Sequence, residues 1–506
     1  MSEARRHLVQ CYDCGMRVRA RVVGTVVVSF LAVHGCTSTG VDSEAPVDAA
    51  VPLASGDAAP RAPSEQPPGW DSEIRPFELP DLDPSPNVAE FALEARVADV
   101  EVKKGTVVKA WTYDGHLPGP LIRAKKGDRV KIHFTNSLPD RTTVHWHGLR
   151  VPNDMDGVDP EIMPGQKVDF EFDVPDAGTY WYHSHVHSTA QVGFGLYGAF
   201  IIEDPADRDL GDETALVFSD MSLAADGGLQ PGNQDGMLGD YFGREGALLL
   251  VNGKPMPNLK GRVGVPQRWR IVNAARARYL KFGVPNADVM RIGGDNGLVA
   301  APEAARTVTL APGERAELQV VPKVPSNGPL KVMWEDSDRF HTGAPRPSEP
   351  FMTYEVVDLA PPTKRMTPLP ASLRAIEAIA TDGARERVIE LMERKEGQAT
   401  VLGINGLPFA ESIPLSAKVG DTEVWDVRNL TGFDHPFHIH GFSFQVLDVE
   451  GASPKNREWK DTVNVSARSR IRLVLKWDNR PGMWMFHCHI LDHTELGMMA
   501  MVHLMR

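Results

Sequence analysis

The amino-acid sequence predicts an all-β protein built from three consecutive β-sandwich domains. The first observation is a series of short runs in which apolar and polar residues alternate, for example at 130–134, 168–172 and 471–475. A period of two is typical of strands that bury one face in a sandwich. The second observation is that proline and glycine turns separate these runs, with no long helical pattern between them. Residues 371–382 offer at most one short helix.

The composition limits the kind of protein. A length of 506 residues suggests three or four domains of about 100–200 residues each, and 42% hydrophobic residues are enough for folded cores. Asp and Glu total 67 against 54 Lys and Arg, and the resulting net charge of −13 argues against binding to nucleic acid phosphates. Only 4 Cys accompany 17 His, so a scaffold held together by disulfides is excluded.

The N-terminus predicts export, with a signal peptide over 1–36. An apolar run of 12 residues at 22–33 follows several arginines; it is too short to span a bilayer but fits the core of a signal peptide. Gly35 and Cys36 follow this run and resemble the end of a bacterial lipoprotein signal, in which Cys36 becomes the lipidated first residue. Because His34 is atypical for that signal, an ordinary signal peptide is the alternative.

The rest of the N-terminal region carries no fold signal. Met16 is an alternative chain start, since the residues after it read as a complete signal n-region, and Cys11 and Cys14 would then lie outside the protein. Residues 37–85 are rich in Ala, Pro, Ser, Asp and Glu without periodicity, which predicts a flexible linker. We expect a periplasmic protein, one anchored to the outer membrane through Cys36, or a secreted one.

A short pattern occurs three times and divides the folded part. In each copy an Asp-Gly or Asn-Gly turn with a proline close behind it is followed 20 to 23 residues later by an Asn that ends a strand. The copies are offset by 138 and 153 residues, and such ordered coincidences indicate internal repeats. The predicted domains are 86–204, 205–365 and 366–506. The turns begin at Asp114, Asn252 and Asn405, and the strands end at Asn136, Asn273 and Asn429.

Ten of the 17 His lie in four short motifs, two in the first repeat and two in the third. The motifs are HWHG at 145–148, HSH at 183–185, HPFHIHG at 435–441 and HCHILDH at 487–493. Each contains an H-x-H pair, and because side chains alternate across a strand, both His of a pair point to the same side. Two domains that face each other could bring eight imidazoles together, which suits a cluster of two or three metal ions. The eight are His145, His147, His183, His185, His438, His440, His487 and His489.

Cys488 lies between two of these His and must point to the opposite face of its strand. There it can meet His435 and His493, with Met498 five residues further along the chain. One thiolate, two imidazoles and a thioether are the ligands of a blue-copper electron-transfer site. Zinc binding and a purely structural role of the His are the alternatives, but structural zinc sites prefer more cysteines. The pattern therefore favours copper.

The four motifs, in this order, resemble those of the multicopper oxidases, the laccase-like enzymes of cupredoxin fold. The likeness extends from about residue 90 to Arg506 and includes the segments at 113–123 and 195–204. It implies three consecutive cupredoxin-like Greek-key β-sandwich domains and four copper ions. His187 continues the alternation of the second motif, but lies beyond the family pattern and is expected outside the ligand set. By this resemblance the type 2 copper has His145 and His438 as ligands, the type 3 pair has His147, His183, His185, His440, His487 and His489, and the type 1 copper has His435, Cys488, His493 and axial Met498, with Met499 as the neighbouring alternative.

The resemblance also implies the reaction. Type 1 copper takes single electrons from a reducing substrate; they pass through Cys488 and its flanking His to the trinuclear cluster, where four electrons reduce O2 to water. This step needs protons from a carboxylate. Asp156, nine residues after His147, sits where relatives carry such an acid, although an Asp before Gly is as often only a turn residue. Relatives often have an acid directly after the last type 1 His; here Thr494 stands there, and Glu495 is the candidate substitute.

The substrate is open at this stage. The leading hypothesis is an exported laccase-like oxidase of phenols or aromatic amines. The main alternative is a metallo-oxidase acting on Cu(I), Fe(II) or Mn(II) in copper tolerance, although the 18 Met form no insertion near the type 1 motifs. A copper-free cell-envelope scaffold is disfavoured because all ten His and Cys488 are present, and a copper nitrite reductase because it usually has two domains. We expect a monomer whose partners are O2 and a small reducing substrate, without nucleic acid, and with a membrane only through a lipid anchor on Cys36.

Overall fold

The computed structural model describes residues 74–207, 209–230, 236–357, 368–396 and 399–506. The predicted signal peptide with Cys36, the alternative start at Met16 and the greater part of the predicted linker lie outside the described residues. No helix in the described ranges is long and apolar enough to cross a membrane. Strands dominate these ranges and form six sheets, which confirms the all-β prediction.

The first sandwich consists of two four-stranded sheets. Its strands are β1 (Val88–Lys103), β2 (Thr106–Tyr113), β3 (Gly119–Lys125), β4 (Arg129–Asn136), β5 (His145–His147), β6 (Lys167–Asp173), β7 (Gly178–His183) and β8 (Tyr197–Glu203). One sheet has the order β2-β1-β4-β6 and the other β3-β8-β7-β5. The alternation at 130–134 falls in β4, where Val130, Ile132 and Phe134 are buried and the residues between them are not. The apolar face of this strand therefore points into the core between the sheets.

The second sandwich has eleven strands in two sheets. They are β9 (Asp212–Met221), β10 (Leu248–Val251), β11 (Asn258–Arg262), β12 (Gln267–Asn273), β13 (Leu280–Phe282), β14 (Ala287–Gly294), β15 (Gly297–Ala304), β16 (Val308–Leu310), β17 (Arg315–Pro322), β18 (Leu330–Trp334) and β19 (Glu349–Val357). The sheet orders are β10-β9-β12-β17-β14-β15 and β11-β19-β18-β13-β16. Trp269 and Tyr354 meet edge to face in its core with ring centroids 5.4 Å apart.

The third sandwich has ten strands in two five-stranded sheets. They are β20 (Arg385–Glu396), β21 (Ala399–Ile404), β22 (Leu415–Lys418), β23 (Thr422–Asn429), β24 (His435–Ile439), β25 (Phe444–Val449), β26 (Thr462–Val465), β27 (Arg470–Lys476), β28 (Gly482–Cys488) and β29 (Met499–Met505). The sheet orders are β21-β20-β23-β27-β25 and β22-β29-β28-β24-β26. The predicted domain boundaries at 204–205 and 365–366 stay predictions, and the second lies outside the described residues.

Helices are few and short. The described α-helices are α1 (Ser188–Phe194), α2 (Gly236–Phe242) and α3 (Leu491–Glu495), and single 3₁₀ turns cover Asn153–Met155 and Phe409–Glu411. Residues 371–382, where the sequence allows one short helix, form none. Helix α3 packs against both α1 and α2 and follows the strand that carries Cys488.

The threefold pattern has one structural role in all copies. Asp114, Asn252 and Asn405 have positive φ angles of 52°, 50° and 53°, and the glycine after each is also at positive φ. Both turn residues therefore need the left-handed conformation, which Asn, Asp and Gly tolerate best. Asn136, Asn273 and Asn429 each use their side-chain amide to donate to two backbone carbonyls and accept one backbone N–H two residues on.

Candidate metal centre

Two antiparallel strand pairs carry the His motifs in matching positions. In the first sandwich β5 pairs with β7, so that His145 lies opposite His183. In the third sandwich β24 pairs with β28, so that His438 lies opposite His487 and Phe437 opposite Cys488. Matching registers give both sandwiches the same presentation of imidazoles at one face.

The eight His of the H-x-H pairs converge between the first and third sandwiches. The rings of His147 and His438 stack with centroids 3.8 Å apart, and those of His145 and His440 stack with centroids 3.9 Å apart. Nε2 of His440 lies 3.0 Å from Nε2 of His487. We call these eight residues the histidine cage, whose remaining members are His183, His185 and His489.

The ring nitrogens of the cage fall into two kinds. Outer nitrogens of several members donate to a neighbouring carbonyl, as His145 Nδ1 does to Asp156 O at 2.9 Å. Six other buried ring nitrogens have no hydrogen-bond partner in the described residues. Such groups are rare in folded proteins, and metal-ligating His typically fix their second nitrogen on a carbonyl or carboxylate. The cage therefore fits bound copper, for which imidazole is a suitable ligand. The unpartnered atoms are His145 Nε2, His147 Nδ1, His183 Nε2, His438 Nε2 and both ring nitrogens of His489.

Burial lowers the pKa of most cage imidazoles. It lowers the pKa of His183 to about 3 and that of His185 to about 4, and neighbouring imidazoles add to the effect. The same causes hold the pKa of His145, His440 and His487 well below the ordinary value. Neutral imidazole is the form that binds metal ions, so the cage is ready for ligation at neutral pH.

Asp156 lies against the cage, whereas Glu495 lies further out. Asp156 Oδ2 is 2.8 Å from His440 Nδ1, and burial raises the pKa of this carboxyl to about 7. Glu495 is an exposed residue, but its carboxylate group is largely surrounded by protein atoms. This local burial raises the pKa of the carboxyl to about 7. Glu495 accepts the backbone N–H of Thr189 at 2.9 Å. Thr494, not Glu495, reaches the cage, with Oγ1 3.4 Å from His487 Nδ1.

A second cluster is formed by His435, Cys488 and His493. Cys488 Sγ lies 3.3 Å from His435 Nδ1 and 3.6 Å from His493 Nδ1, and the two imidazole nitrogens are 3.2 Å apart. All three side chains are buried, and burial raises the pKa of the Cys488 thiol and lowers that of His435 to about 3. Met498 is also buried, and its backbone bonds to Cys488 N at 3.0 Å and to His493 O at 2.9 Å. This donor set fits a copper ion held by a thiolate.

Helix α2 covers the outer side of the second cluster. His493 Nε2 donates to the backbone carbonyl of Tyr241 at 2.9 Å. The Tyr241 ring meets Phe433 and Phe242 at centroid distances of 5.2 and 4.9 Å, and Phe242 in turn meets Phe340 at 5.5 Å. Phe242 is 42% exposed, so an aromatic surface opens to solvent beside the cluster.

Two charged residues beside the cage carry no motif in the sequence. Asp461 Oδ1 lies 3.1 Å from His147 Nε2, and Asp461 O accepts a hydrogen bond from His438 Nδ1 at 2.9 Å. Arg315 Nη1 donates to Asp461 Oδ1 at 2.7 Å. In the sequence, the one feature that marks Asp461 is its position directly before strand β26. His187 lies at the surface near Asp140, outside the cage, as expected.

Comparison with known proteins supplies the family. Two family models, both described as multicopper oxidase, match residues 94–207 and 381–504. The multicopper oxidase MmcO of Mycobacterium tuberculosis is 30% identical over 436 residues, which cover 78% of this chain and 83% of the relative. The chain belongs to the multicopper oxidase family. The multicopper oxidase mco of Staphylococcus aureus is a further relative, 29% identical over 431 residues, or 81% of this chain and 88% of its own.

Solved structures of multicopper oxidases agree with the fold. A multicopper oxidase from Campylobacter jejuni, described as a metallo-oxidase, aligns with a TM-score of 0.77 at 30% identity, over 86% of this chain and 95% of its own. The prediction of three cupredoxin-like sandwiches is thereby confirmed. As a multicopper oxidase, the protein is an oxidoreductase that uses copper, a reducing substrate and O2.

Proposed function

We propose that the protein is an exported, laccase-like oxidase that takes single electrons from phenols or aromatic amines and reduces O2 to water. The observation that carries this proposal is the pair of clusters, the histidine cage and the Cys488 cluster, joined by one strand. In this proposal His145 and His438 hold a type 2 copper, and the other six cage His hold a type 3 pair. His435, Cys488, His493 and Met498 hold a type 1 copper.

Four copper ions would supply one-electron transfer at the Cys488 cluster and four-electron reduction of O2 at the cage. The protein's own part begins with the dry surroundings of both clusters. His435, Cys488 and His493 are buried, and α2 separates His493 from water through the carbonyl of Tyr241. A buried thiol needs a bound cation to stay ionised, so Cys488 should be a thiolate only when a metal ion is bound.

Asp156 is the proposed proton donor. Its side chain is 2% exposed, with Oδ2 2.8 Å from His440 Nδ1 and Oδ1 3.5 Å from His145 Nδ1, so it lies at the edge of the cage between two ligands. With a pKa raised to about 7 by burial, it can hold a proton near neutral pH and release one from Oδ2 or Oδ1. Glu495 has a similar pKa but contacts the backbone of Thr189, and we propose it as an outer proton carrier.

The surroundings of the Cys488 cluster favour aromatic donors. Phe242 offers an exposed ring within a cluster that reaches Phe433, and Phe433 packs on His435 and His493 at centroid distances of 4.8 and 5.3 Å. Aromatic rings pair edge to face or offset with about 0.5–1.5 kcal/mol beyond their burial. A phenol or aromatic amine could therefore dock close to the cluster.

A metallo-oxidase role is the second candidate. Met237 is 74% exposed on α2 and offers a thioether to a soft metal ion, and the Campylobacter jejuni relative is described as a metallo-oxidase. Against this, the two carboxylates that directly precede His435 and His493 in the chain are engaged. Asp434 accepts from His341 and Asn464, and Asp492 is paired with Arg244.

One experiment separates these functions. The copper-loaded enzyme is given a phenol or Cu(I) under identical conditions while O2 uptake is followed, with the Cys488→Ser variant as control for uncatalysed oxidation. We expect faster phenol-dependent uptake than Cu(I)-dependent uptake after subtraction of the control. Faster uptake with Cu(I) would support the metallo-oxidase, and no uptake with either would favour a scaffold. Export and the lipid anchor on Cys36 rest on the sequence alone, and so does the monomeric state.

A further inference from the structure

The second sandwich holds none of the His motifs, yet one of its arginines bonds to Asp461, which contacts the cage. Arg315 begins β17 and its side chain is fully buried. Its guanidinium donates to Thr179 O of the first sandwich at 3.0 Å and to Asp295 O of its own sandwich at 2.9 Å. It also donates to both carboxylate oxygens of Asp461 in the third sandwich, at 2.7 Å for Oδ1. A single side chain thus bonds to all three sandwiches.

Asp461 carries this contact to two cage members. Its carboxylate lies 3.1 Å from His147 Nε2, and its backbone carbonyl accepts His438 Nδ1 at 2.9 Å. Thr462 Oγ1 lies 3.1 Å from each of these two imidazoles and donates to Asp461 Oδ1 at 2.8 Å. His147 belongs to the first sandwich and His438 to the third. Their stacked rings are therefore fixed from outside by one residue, Asp461, through its carboxylate for His147 and its backbone carbonyl for His438, and the carboxylate is itself held by Arg315.

The packing at this point leaves little freedom. Gly148, directly after His147, has a φ of +84°, and a Cβ there would lie 2.6 Å from Asp461 Oδ2 and also meet the Arg315 guanidinium. Gly313, two residues before Arg315, has a φ of +87°, and a Cβ there would lie 2.9 Å from the His489 ring. The second sandwich therefore packs closely against the cage and its surroundings at two places, without contributing a ligand.

The charges of the contact are balanced within the core. Asp295 Oδ1 lies 3.7 Å from Arg315, and Lys460 Nζ lies 3.1 Å from both Asp295 Oδ2 and Glu314 Oε1. Buried ion pairs contribute little net stability but are costly to break. Arginine fits here because its five N–H groups can donate to both oxygens of Asp461 and to three backbone carbonyls, including Gly313 O at 3.0 Å, which a lysine ammonium cannot do.

We propose that Arg315 is a positioning residue: through Asp461, the ligand-free second sandwich sets the orientation of His147 and His438 so that the cage can retain its copper. This rests on the proposed role of the cage as the trinuclear copper site. Loss of a group that supports a metal-ligating His typically weakens metal binding about 10- to 100-fold. The effect should fall on the cage and spare the Cys488 cluster, which Arg315 does not touch.

The test compares Arg315→Lys and Asp461→Asn with the wild type and with Arg268→Lys. Arg268 is also buried in the second sandwich, where it pairs with Glu317 and makes no contact with Asp461, so it controls for loss of a buried guanidinium. Each copper-free protein is checked by circular dichroism and thermal unfolding, then loaded with copper against a competing chelator. Bound copper per chain, the blue thiolate absorption and the type 2 electron paramagnetic resonance signal are measured.

We expect Arg315→Lys and Asp461→Asn to keep the blue absorption while holding cage copper about 10- to 100-fold more weakly, with a reduced type 2 signal. Arg268→Lys should match the wild type in all three measurements. Full copper retention in both network variants would overturn the proposal, and so would an equal loss in Arg268→Lys. If Arg315→Lys does not fold, Asp461→Asn decides the outcome. A wild type that binds only the blue copper would instead contradict the proposed function.

Discussion

Cys488 sits where one strand faces two sites. Its Sγ is 3.3 Å from His435 Nδ1 on one face of β28, whereas His487, its neighbour, turns to the other face and lies 3.0 Å from His440. Cys488 O accepts a hydrogen bond from His487 Nδ1 at 2.8 Å, so the His487 ring is tied to the peptide that links Cys488 to His489. The alternation of a single strand therefore places a thiol and a cage imidazole back to back with only backbone between them.

Replacement of Cys488 by Ser should remove the blue copper signal of the Cys488 cluster and leave the copper of the histidine cage in place. A neutral hydroxyl is a poor copper ligand compared with a thiolate, so we expect the blue absorption to vanish and phenol-dependent O2 uptake to fall to background. The cage does not include Sγ, and most of the bound copper should therefore remain. Absorption spectra, metal analysis and O2 uptake measure the three quantities. Persistent blue absorption in this variant would contradict the assignment of Cys488.

Asp156 should matter more than Glu495 for O2 reduction. Asp156→Asn removes the carboxyl that touches His440, and since positioned acids and bases contribute about 10²–10⁴-fold, we expect kcat to fall at least 100-fold. The ratio kcat/KM for the phenol should stay unchanged, because the donor docks and is oxidised at the other cluster. Glu495→Gln is the matched control, because it removes an acid of similar pKa that has no contact with the cage. This variant should lose less activity. A larger loss in Glu495→Gln would reverse the two roles.

Two short helices, α2 and α3, form the wall of the Cys488 cluster. Helix α3 carries His493 but has only five residues, and α2 has seven; both are too short to be stable alone. The buried pair of Arg244, just after α2, and Asp492 in α3 joins them. Asp492 also accepts the backbone N–H of Arg244 at 2.8 Å. The position of His493 thus depends on the chain segment that covers it.

The aromatic surface on α2 should decide affinity for phenols. Phe242→Ala removes the exposed ring next to Tyr241, and loss of an aromatic pair worth about 0.5–1.5 kcal/mol should raise KM for a phenol about 2- to 12-fold. The rate at saturating phenol should change little. Met237→Ala, on the same helix, is the control and should leave the phenol KM unaltered. If Met237→Ala instead raises KM for Cu(I) and Phe242→Ala alters nothing, the metallo-oxidase is the better description.

Strands and their faces could be predicted from the sequence, whereas the helices over the cluster could not. Local alternation determines which residues of β4 and β6 are buried, and the H-x-H spacing needs only strand geometry. Helix α2 has no such local signal, because its contacts are with Asp492 and His493, about 250 residues away. Residues 371–382 show the converse: a pattern compatible with a short helix forms none, because backbone groups of this segment bond to distant residues instead, as Leu373 N–H does to Ala300 O and Ile379 N–H to Gln445 Oε1.

At the scale of the whole molecule, the three sandwiches are similar in fold but differ in role: the first and third carry the His motifs, and the second does not. The repeated Asn136, Asn273 and Asn429 show that the three were built on one plan. Only the assembled fold shows the contact between Arg315 and Asp461, since the two are 146 residues apart and neither belongs to a motif.

The assembled cage should make the copper-free protein sensitive to acid. Nine imidazoles of the two clusters have a lowered pKa in the described structure; for His183 it falls from 6.5 to about 3, and for His185 to about 4. Above pH 6.5 folded and unfolded chains both leave these groups neutral. As the pH falls below 6.5 the unfolded chain takes up protons that the folded cage refuses, so the free energy of unfolding decreases. The nine are His145, His147, His183, His185, His435, His440, His487, His489 and His493.

Carboxyls act in the opposite direction, but fewer of them titrate in this range. Burial raises the pKa of Asp156 and Glu495 to about 7 and that of Asp114 to about 6, so the folded chain binds these protons more tightly. Burial also raises the pKa of Asp207, Asp220, Glu314 and Asp492, so seven carboxyls oppose the imidazoles and are still outnumbered by nine; one pKa unit in one group corresponds to about 1.4 kcal/mol. We therefore expect the Tm of the copper-free protein to fall steeply between pH 7 and pH 5, as measured by calorimetry.

Substitution within the cage provides the decisive comparison. His489→Gln removes one imidazole that the folded state keeps neutral, so the Tm of this variant should depend less steeply on pH than that of the wild type. His187→Gln changes a surface imidazole outside the cage and should leave the wild-type slope unchanged. A Tm that stays level from pH 7 to pH 5 in the copper-free wild type would mean that protons reach the cage without unfolding. The two sandwiches would then close around their ligands only when copper is bound.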